Sequence, residues 1–155
     1  MSKSIDQIIQ ETAFRIKALP LGTDVGDEGF MAELKSLNKE ARRPMVEAAN
    51  RRDPENKNIK VLAADERRRL MKAARADADS AFFSLAKILL GERAFARVET
   101  IKKHTSHKLA SSQFWQVGVW RGAGDFVVLG TDVKRPEAFL KAMKEAAENP
   151  LITTA

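Results

Sequence analysis

The chain has 155 residues, a formal net charge of +6 and 44% hydrophobic residues, which predicts one globular domain over residues 1–155 rather than a disordered chain. It contains no cysteine, which excludes disulfide bonds, cysteine nucleophiles and cysteine-rich zinc sites. No apolar run reaches the roughly 18 residues of a membrane span, and the polar start from Met1 to Asp6 does not match a secretory signal. We therefore expect a cytoplasmic protein with no membrane partner.

The first predicted helix begins after Ser4 and ends before Pro20. Apolar or small side chains recur along it at helical spacing, at Ile5, Ile8, Ile9, Thr12, Ile16 and Leu19. Ser4 followed by Gln7 has the form of a capping box, in which each side chain accepts a backbone N–H of the first turn. Pro20 ends the helix because the residue before a proline is displaced from the helical region.

A loop is predicted next, since residues 21–29 contain three glycines and three acidic residues. Their spacing matches neither a phosphate loop nor a calcium loop, so no cofactor is expected there. The second predicted helix begins near Asp27 as its N-cap and runs to about Arg51. Its apolar face contains Phe30, Leu34, Leu37 and Ala41. Pro44 lacks a backbone N–H and predicts a kink or a new turn, and residues 53–60 predict an exposed loop.

The third predicted helix extends from about Asp65 to Leu90. Its apolar seam contains Leu70, Ala74, Ala78, Ala81, Leu85, Ile88 and Leu89. The alanines indicate close approach to a neighbouring helix, and Gly91 is a suitable helix end. Residues 92–103 carry Phe95, Val98 and Ile101 three apart, which predicts a fourth helix. One long helix bent at Gly91 is the alternative.

The pattern changes to β-structure after Ser111. Residues 114–120 are rich in aromatic and β-branched side chains and predict a strand, and residues 126–129 predict a second. Gly122 and Gly124 supply the turn of a hairpin. Because an isolated hairpin is marginally stable, a third strand is an option, with residues 108–112 as its nearest source.

Pro136 suits the first position of a last helix that ends before Pro150. The predicted fold class is therefore α+β. It has four to five helices and a C-terminal antiparallel β-hairpin, with three strands as an option, followed by a final helix. The helical part covers residues 4–104 approximately, and the hairpin with its helix covers about 111–149.

A local resemblance lies within residues 115–147. A strand and short turn lead to a strand ending in Leu129-Gly130-Thr131, and Pro136-Glu137-Ala138 opens a helix that closes on Glu145-Ala146-Ala147. This order resembles the three-stranded-sheet DNA-binding domain of plant ethylene-response transcription factors, also seen in phage integrase arms and homing endonucleases. The resemblance implies a sheet in the major groove, with Gln116, Gly118 and Arg121 at outward positions. The family's first strand and groove-reading arginines have no match in this sequence.

The positive charge of the chain is concentrated in its middle. Residues 63–110 contain 11 Lys and Arg against 6 Asp and Glu, whereas residues 1–62 contain 11 against 10 and residues 111–155 contain 5 against 5. A localised basic surface is typical of a protein that meets a polyanion.

The first basic cluster lies at the start of the third predicted helix. It contains Arg67, Arg68, Lys72 and Arg75, beside Arg69. Arg68, Lys72 and Arg75 share one side at i, i+4 and i+7, where they can contact phosphates without reading sequence. Arginines at the positive end of a helix dipole are unfavourable, and a bound anion relieves that cost. The alternative is a solvated helix face without a ligand, whose positive charge is partly neutralised by Asp65, Glu66 and Asp79.

The second basic cluster contains Lys102, Lys103, His104, His107 and Lys108. Its alternative explanation is that these cations stabilise the negative end of a helix without any ligand. His104 and His107 have no cysteine or nearby acid to complete a metal site, so no metal is expected. Large aromatic side chains in a short hairpin usually belong to the core, as expected for Trp115, and Trp120, beside Arg121, is the better candidate for exposure and stacking on bases.

These features favour a small non-enzymatic nucleic-acid-binding protein, for DNA or RNA, without a cofactor. The alternative is a protein-interaction, inhibitor or structural assembly subunit that docks on an acidic protein partner. The alanine seam of the third helix is a possible homodimer contact. An enzyme would need His104 or His107 to face an acid across a cleft.

Overall fold

The computed structural model describes residues 3–50, 64–105 and 108–149, with the side chains of residues 100–112 excepted. Within these ranges the chain forms four helices and one three-stranded antiparallel sheet, in the order α1 (Ile5–Lys17), α2 (Asp24–Ala49), α3 (Ala64–Leu90), β1 (Ala94–Thr105), β2 (Lys108–Gly122), β3 (Asp125–Asp132) and α4 (Arg135–Glu148). The predicted α+β class, with a C-terminal sheet and a final helix, is confirmed.

The capping box of α1 is confirmed. The Gln7 backbone N–H donates to the Ser4 hydroxyl at 3.2 Å, and the Ser4 backbone N–H donates to the Gln7 side-chain oxygen at 3.0 Å. Ile9, Thr12 and Ile16 are buried, so the predicted stripe faces the core.

The predicted start of α2 at Asp27 is wrong. Thr23 is the N-cap, its hydroxyl accepting the Gly26 N–H at 3.1 Å, so residues 24–29 are helical instead of a loop. Gly26 is buried, and a Cβ there would overlap the carbonyl group of Pro20. The helical glycine therefore permits close packing against the α1–α2 connection. The helix also continues through Pro44 to Ala49, and the predicted loop at 53–60 lies outside the described residues.

Helix α3 has the predicted extent, and Gly91, with a φ of 103°, follows its end. The predicted fourth helix over residues 92–103 is wrong, as is the long bent helix, because this segment forms β1. Ala94 and Ala96 are buried on one face of the strand, whereas Phe95 between them is 37% exposed. A period of two therefore describes the segment, with small alanines on its buried face.

The sheet has the order β1-β2-β3. The predicted hairpin is β2 and β3, joined by a turn in which Gly124 has a φ of 81°. The third strand is β1, and residues 108–112 belong to the start of β2. Trp115 pairs with both Val98 and Asp132, where the pairing with β3 ends.

Beyond that point β1 and β2 pair alone. Residues 99–105 and 108–114 form a two-stranded ribbon, here named the β-arm, whose last pair is Thr105 with Lys108. At about 3.3 Å per residue the β-arm is roughly 20 Å long.

The core joins the helices to one face of the sheet. Phe30, Phe82 and Phe139 are each 0–1% exposed, and the rings of Phe82 and Phe139 meet edge to face with centroids 5.5 Å apart. Gly130 of β3 lies against the backbone of α4 at Ala138 and Ala142, where a Cβ would not fit. The alanine seam of α3 at Ala74, Ala78 and Ala81 is buried inside this chain, so it is not available as a homodimer contact.

Helix α4 begins at Arg135, one residue before the predicted start, with Pro136 in its first turn. Of the helices in the described ranges, none combines the length and apolar character needed to cross a membrane.

Candidate nucleic-acid interface

The predicted basic face of α3 is present as a stripe of exposed cations, here named the α3 stripe: Arg68, Lys72 and Arg75. Arg68 pairs with Asp65 at 2.5 Å, and both side chains are more than three-quarters exposed, so this pair contributes little to stability. Among the described side chains, no carboxylate lies within 4.0 Å of the Lys72 or Arg75 cation. Two of the three charges are therefore uncompensated.

Arg67 faces a neighbour instead. Its guanidinium donates to the side-chain oxygen of Asn50 at 3.3 Å, which links the start of α3 to the end of α2. Arg67 is exposed, but it belongs to the junction between the two helices more than to the α3 stripe.

The second predicted cluster lies on the β-arm. Lys102 pairs with Ser111 and His104 pairs with Leu109, while Lys103 and Lys108 occupy neighbouring positions of the same ribbon. His107 lies outside the described residues. Because the segment is a strand, helix-end stabilisation does not explain its charges. A two-stranded ribbon is one of the elements that the DNA major groove admits.

A cleft of about 650 Å³ separates α2 and α3 from the start of α4 and from β2. Its charged and aromatic lining is Lys35, Arg42, Arg75, Asp79, Phe82, Trp115 and Arg135. Arg75 is the last member of the α3 stripe, and Trp115 lies at the root of the β-arm. Arg75 of the first cluster therefore borders the same cleft as the root of the β-arm, and the second cluster begins at Lys102, four residues beyond Val98, the partner of Trp115.

Arg135 is fixed in the wall of this cleft by four neighbours. Its guanidinium donates to Asp79 at 2.5 Å and to the side-chain oxygen of Asn38 at 3.1 Å. The guanidinium carbon lies 3.9 Å from the ring centroid of Phe82 and 5.0 Å from that of Trp115. Burial lowers the pKa of Arg135, Asp79 raises it, and the charge of Arg42 lowers it again. Arginine nevertheless stays protonated at physiological pH.

Arg42 is, with Arg75, a cation of the cleft that forms no ion pair among the described side chains. Its Nε atom is buried and has no hydrogen-bond partner among the described residues. Of the described residues that line the cleft, Asp79 is the one carboxylate, and it already pairs with Arg135. The cleft therefore carries a clear excess of positive charge.

Sequence reasoning missed both Arg42 and Arg135. Arg42 stands beside Arg43 in a mostly polar stretch of α2, and Arg135 follows Lys134 directly before Pro136. No sequence pattern connects Arg42 or Arg135 to Asp79. The three residues meet only because α2, α3 and α4, which carry them, pack together around the cleft.

The sheet face opposite α4 carries a cluster of aromatic rings. The centroids of Trp120 and Phe126 are 4.9 Å apart, and Phe95 lies 6.4 Å from Trp120. Arg97 lies over the Phe126 ring at 4.3 Å and donates to Gln116 at 2.9 Å. Trp120 is half-buried within this cluster, which leaves less of its ring free for stacking than the sequence suggests.

The neighbouring positions differ in exposure. Arg121 is exposed, whereas Gly118 is buried at a β-bulge and the half-buried Gln116 is bonded to Arg97. Trp115, expected in the core, is half-buried and borders the cleft, while Val117 and Val119 beside it are buried.

Across the described part of the chain, no group of three or more acidic or histidine side chains is placed to hold a metal ion. No protein-family model matches the chain, and the searches of curated proteins and of solved structures gave no match.

Proposed function

We propose that this chain is a small nucleic-acid-binding protein that contacts phosphates through the α3 stripe and the β-arm. One observation carries the proposal: Arg75 of the α3 stripe and Trp115 at the root of the β-arm line the same positively charged cleft. This proximity of Arg75 to the root of the β-arm supports a phosphate surface that the two elements share. Phosphate contacts of this kind set position and affinity without reading sequence.

The dimensions of the two elements suit a nucleic acid. From Arg68 to Arg75 the α3 stripe covers about 10 Å of helix, at about 1.5 Å per residue. Duplex DNA carries one charge per roughly 1.7 Å of its axis, so several phosphates fall within that length. The β-arm is a two-stranded ribbon, which a major groove roughly 12 Å wide can accommodate.

The order of elements supports a role for the sheet as well. A three-stranded antiparallel sheet followed by a helix, as in this chain, is also the order of elements in the ethylene-response DNA-binding domain that residues 115–147 resemble. On the sheet face opposite α4, the Arg97 guanidinium is engaged with Phe126 and Gln116. We therefore assign the sheet a secondary contact and the phosphate contacts to the two basic clusters.

Fluorescence anisotropy with labelled duplex and single-stranded oligonucleotides, over a salt series, tests the proposal. We expect binding at about 50 mM salt and a linear fall of log K with log salt, because each neutralised phosphate releases counterions. Charge reversal of the α3 stripe (Arg68→Glu, Lys72→Glu, Arg75→Glu) should abolish binding while the circular dichroism spectrum is unchanged.

The matched control reverses three exposed cations on α1, just before it, and on α2: Lys3→Glu, Lys17→Glu and Arg43→Glu. This variant has the same net charge as the first. No oligonucleotide binding by the wild type, or an equal loss in both variants, would overturn the proposal.

An acidic protein partner is the second candidate. It is favoured by the apolar side chains on the sheet, where Phe95, Val98 and Val128 are 37%, 44% and 38% exposed. Phe95 is the aromatic member of this set, and protein interfaces are enriched in aromatic residues and in arginine. A monodisperse dimer by light scattering, together with no oligonucleotide binding, would favour this candidate.

A further inference from the structure

The geometry points to a discrete binding site for a phosphate monoester in the cleft, with Arg42, Arg75 and Arg135 as its anion-binding side chains. This site goes beyond the proposed function, since a single phosphate group can bind there whether or not the chain binds a nucleic-acid polymer.

The lining of the cleft has more positive than negative charge, which favours binding of an anion. Arg42, Arg75, Arg135 and Lys35 line it, and Asp79 neutralises only one of them. Arg42 is close enough to Arg135 for its charge to lower the pKa of Arg135. A dianionic ligand would turn this repulsion into attraction, because each guanidinium then faces an opposite charge.

Arg42 has a buried donor with no acceptor. The Nε–H of Arg42 lacks a partner among the described residues, and an unpaired buried donor is unfavourable in a folded protein. Because this atom is buried, an anion in the cleft becomes its acceptor when the Arg42 side chain turns toward the cleft that it lines.

Arg135 is held rigid while keeping donors free. A guanidinium has five N–H donors, and the structure uses the two nitrogens that face Asp79 and Asn38. The rings of Phe82 and Trp115 fix the plane of the group. A side chain ordered in advance loses little freedom on binding, which favours affinity.

The start of α4 adds to the attraction. Arg135 and Pro136, the first two residues of this 14-residue helix, both line the cleft. The N-cap residue Lys134 makes no side-chain capping bond, and the acidic groups at this end are Glu137 in the first turn and Asp132, which accepts the Lys134 N–H at 3.0 Å.

Phosphate is the anion that fits this group best. Guanidinium forks match the oxygens of phosphate, and a dianion balances more of the excess charge than a carboxylate does. The volume of about 650 Å³ exceeds that of one phosphate and lies in the range of small-molecule sites. The half-buried ring of Trp115 offers a surface on which a flat organic group attached to the phosphate can stack.

Calorimetric titration with inorganic phosphate and with adenosine 5′-monophosphate tests the site. We expect the wild type to bind both probes, and Arg42→Gln to weaken binding about 10–100-fold through the loss of a charge-assisted hydrogen bond. Arg43→Gln is the control, since Arg43 is the next residue, is exposed and pairs with Glu40. It should change the dissociation constant less than about twofold.

A second measurement separates the two sources of a phosphate monoester. The same single-stranded oligonucleotide is compared with a 5′-phosphate and with a 5′-hydroxyl end. Tighter binding of the phosphorylated oligonucleotide, lost in Arg42→Gln, supports the site with a nucleic-acid end as its ligand. Equal binding of both, with adenosine 5′-monophosphate bound, supports the site with a free monoester as its ligand.

Folding of the variant is checked by its melting temperature without ligand. We expect Arg42→Gln to melt at or above the wild-type temperature, because the substitution removes repulsion with Arg135 and a charged side chain whose Nε–H has no acceptor. If the variant fails to fold, Arg75→Gln takes its place, since Arg75 is exposed. The site is overturned if the wild type binds neither probe and shows no 5′-phosphate preference, or if Arg43→Gln weakens binding as much as Arg42→Gln. Binding of the 5′-hydroxyl oligonucleotide reports on the proposed function separately.

Discussion

Asp79 of α3 and Arg135 of α4 form an ion pair at 2.5 Å across 56 positions of the sequence. Asp79 lies on the same side of α3 as Arg68, Lys72 and Arg75, at positions that continue their spacing. Asp79 could therefore pair with a cation of the α3 stripe, but its carboxylate accepts the hydrogen bond of Arg135 instead. This pair holds the start of α4 at the edge of the cleft and leaves Lys72 and Arg75 of the stripe without a counter-charge among the described side chains.

Asp79→Asn should destabilise the protein by about 2 kcal/mol, because it leaves a mostly buried arginine without its counter-charge. The Arg135 side chain is 15% exposed, while that of Asp79 is 45% exposed, which keeps the loss below that of a fully buried pair. Asp77→Asn is the control, because Asp77 is exposed and has no ion pair among the described side chains. It should change stability by less than about 0.5 kcal/mol. Urea denaturation measures both, and an equal effect would contradict the role given to Asp79.

Gly130→Ala should destabilise the protein by about 3 kcal/mol, since overpacking against fixed backbone forces elements apart. The added Cβ would overlap the Ala138 carbonyl oxygen and lie 2.6 Å from the Ala142 nitrogen, so α4 would have to move off the sheet. Gly122→Ala is the matched control, because a Cβ at Gly122 meets nothing within 4 Å. Thermal unfolding compares the two, and a neutral Gly130→Ala would mean that α4 does not pack closely on β3.

The ion pair between Asp27 and Lys144 makes stability depend on pH. The Lys144 ammonium, at 2.6 Å, and the Gly22 N–H, at 3.0 Å, lower the pKa of Asp27 below its usual 3.8. Since the folded-state pKa is depressed, this stabilisation is complete above the unfolded-state pKa and is lost as the pH falls through the folded-state value.

Asp27→Asn should therefore reduce the acid-induced loss of stability below pH 3.8. Lys144→Gln removes the main cause of the shift and should act in the same direction. Asp132, whose pKa is lowered by the Lys134 N–H and by Lys141, still contributes to the remaining slope. Urea denaturation at a series of acidic pH values measures the effect, and an unchanged slope in both variants would contradict the pair.

Lys102→Gln combined with Lys103→Gln should make the salt dependence of oligonucleotide binding shallower by about one unit of slope per lysine, as expected for phosphate contacts. Lys3→Gln combined with Lys17→Gln removes the same charge from the region of α1 and should leave the slope nearly as in the wild type. If the control variant changes the slope as much, binding depends on net charge alone, which would contradict phosphate contacts by the β-arm.

Much of the fold could be predicted because some local signals have one physical meaning. Ser4 and Gln7 form the expected capping box, Gly91 ends α3, and Gly124 supplies the hairpin turn. The segment after Gly91 misled the prediction because Phe95, Val98 and Ile101 recur every third residue. The buried face there consists of Ala94 and Ala96, and alanine is too small and too common in helices to indicate a strand.

The candidate site could be predicted only in part. The clusters on α3 and on residues 102–108 stand out as local concentrations of charge. The cleft beside Arg75 depends on Arg42 and Arg135, which are far apart in sequence and belong to no large cluster of charge. Their meeting follows from the docking of α4 against α2 and α3, and such long-range packing leaves no periodic pattern in the chain.

The central claim is that the α3 stripe and the β-arm act as one phosphate-binding surface around the cleft. Titration of the ¹⁵N-labelled protein with a short duplex, followed by amide chemical shifts, tests this most directly. The account predicts that amides of residues 68–75 and 102–108, and those of Arg135 and Glu137, shift together with one dissociation constant, while those of α1 do not. Shifts confined to α1, or different dissociation constants for the α3 stripe and the β-arm, would contradict it.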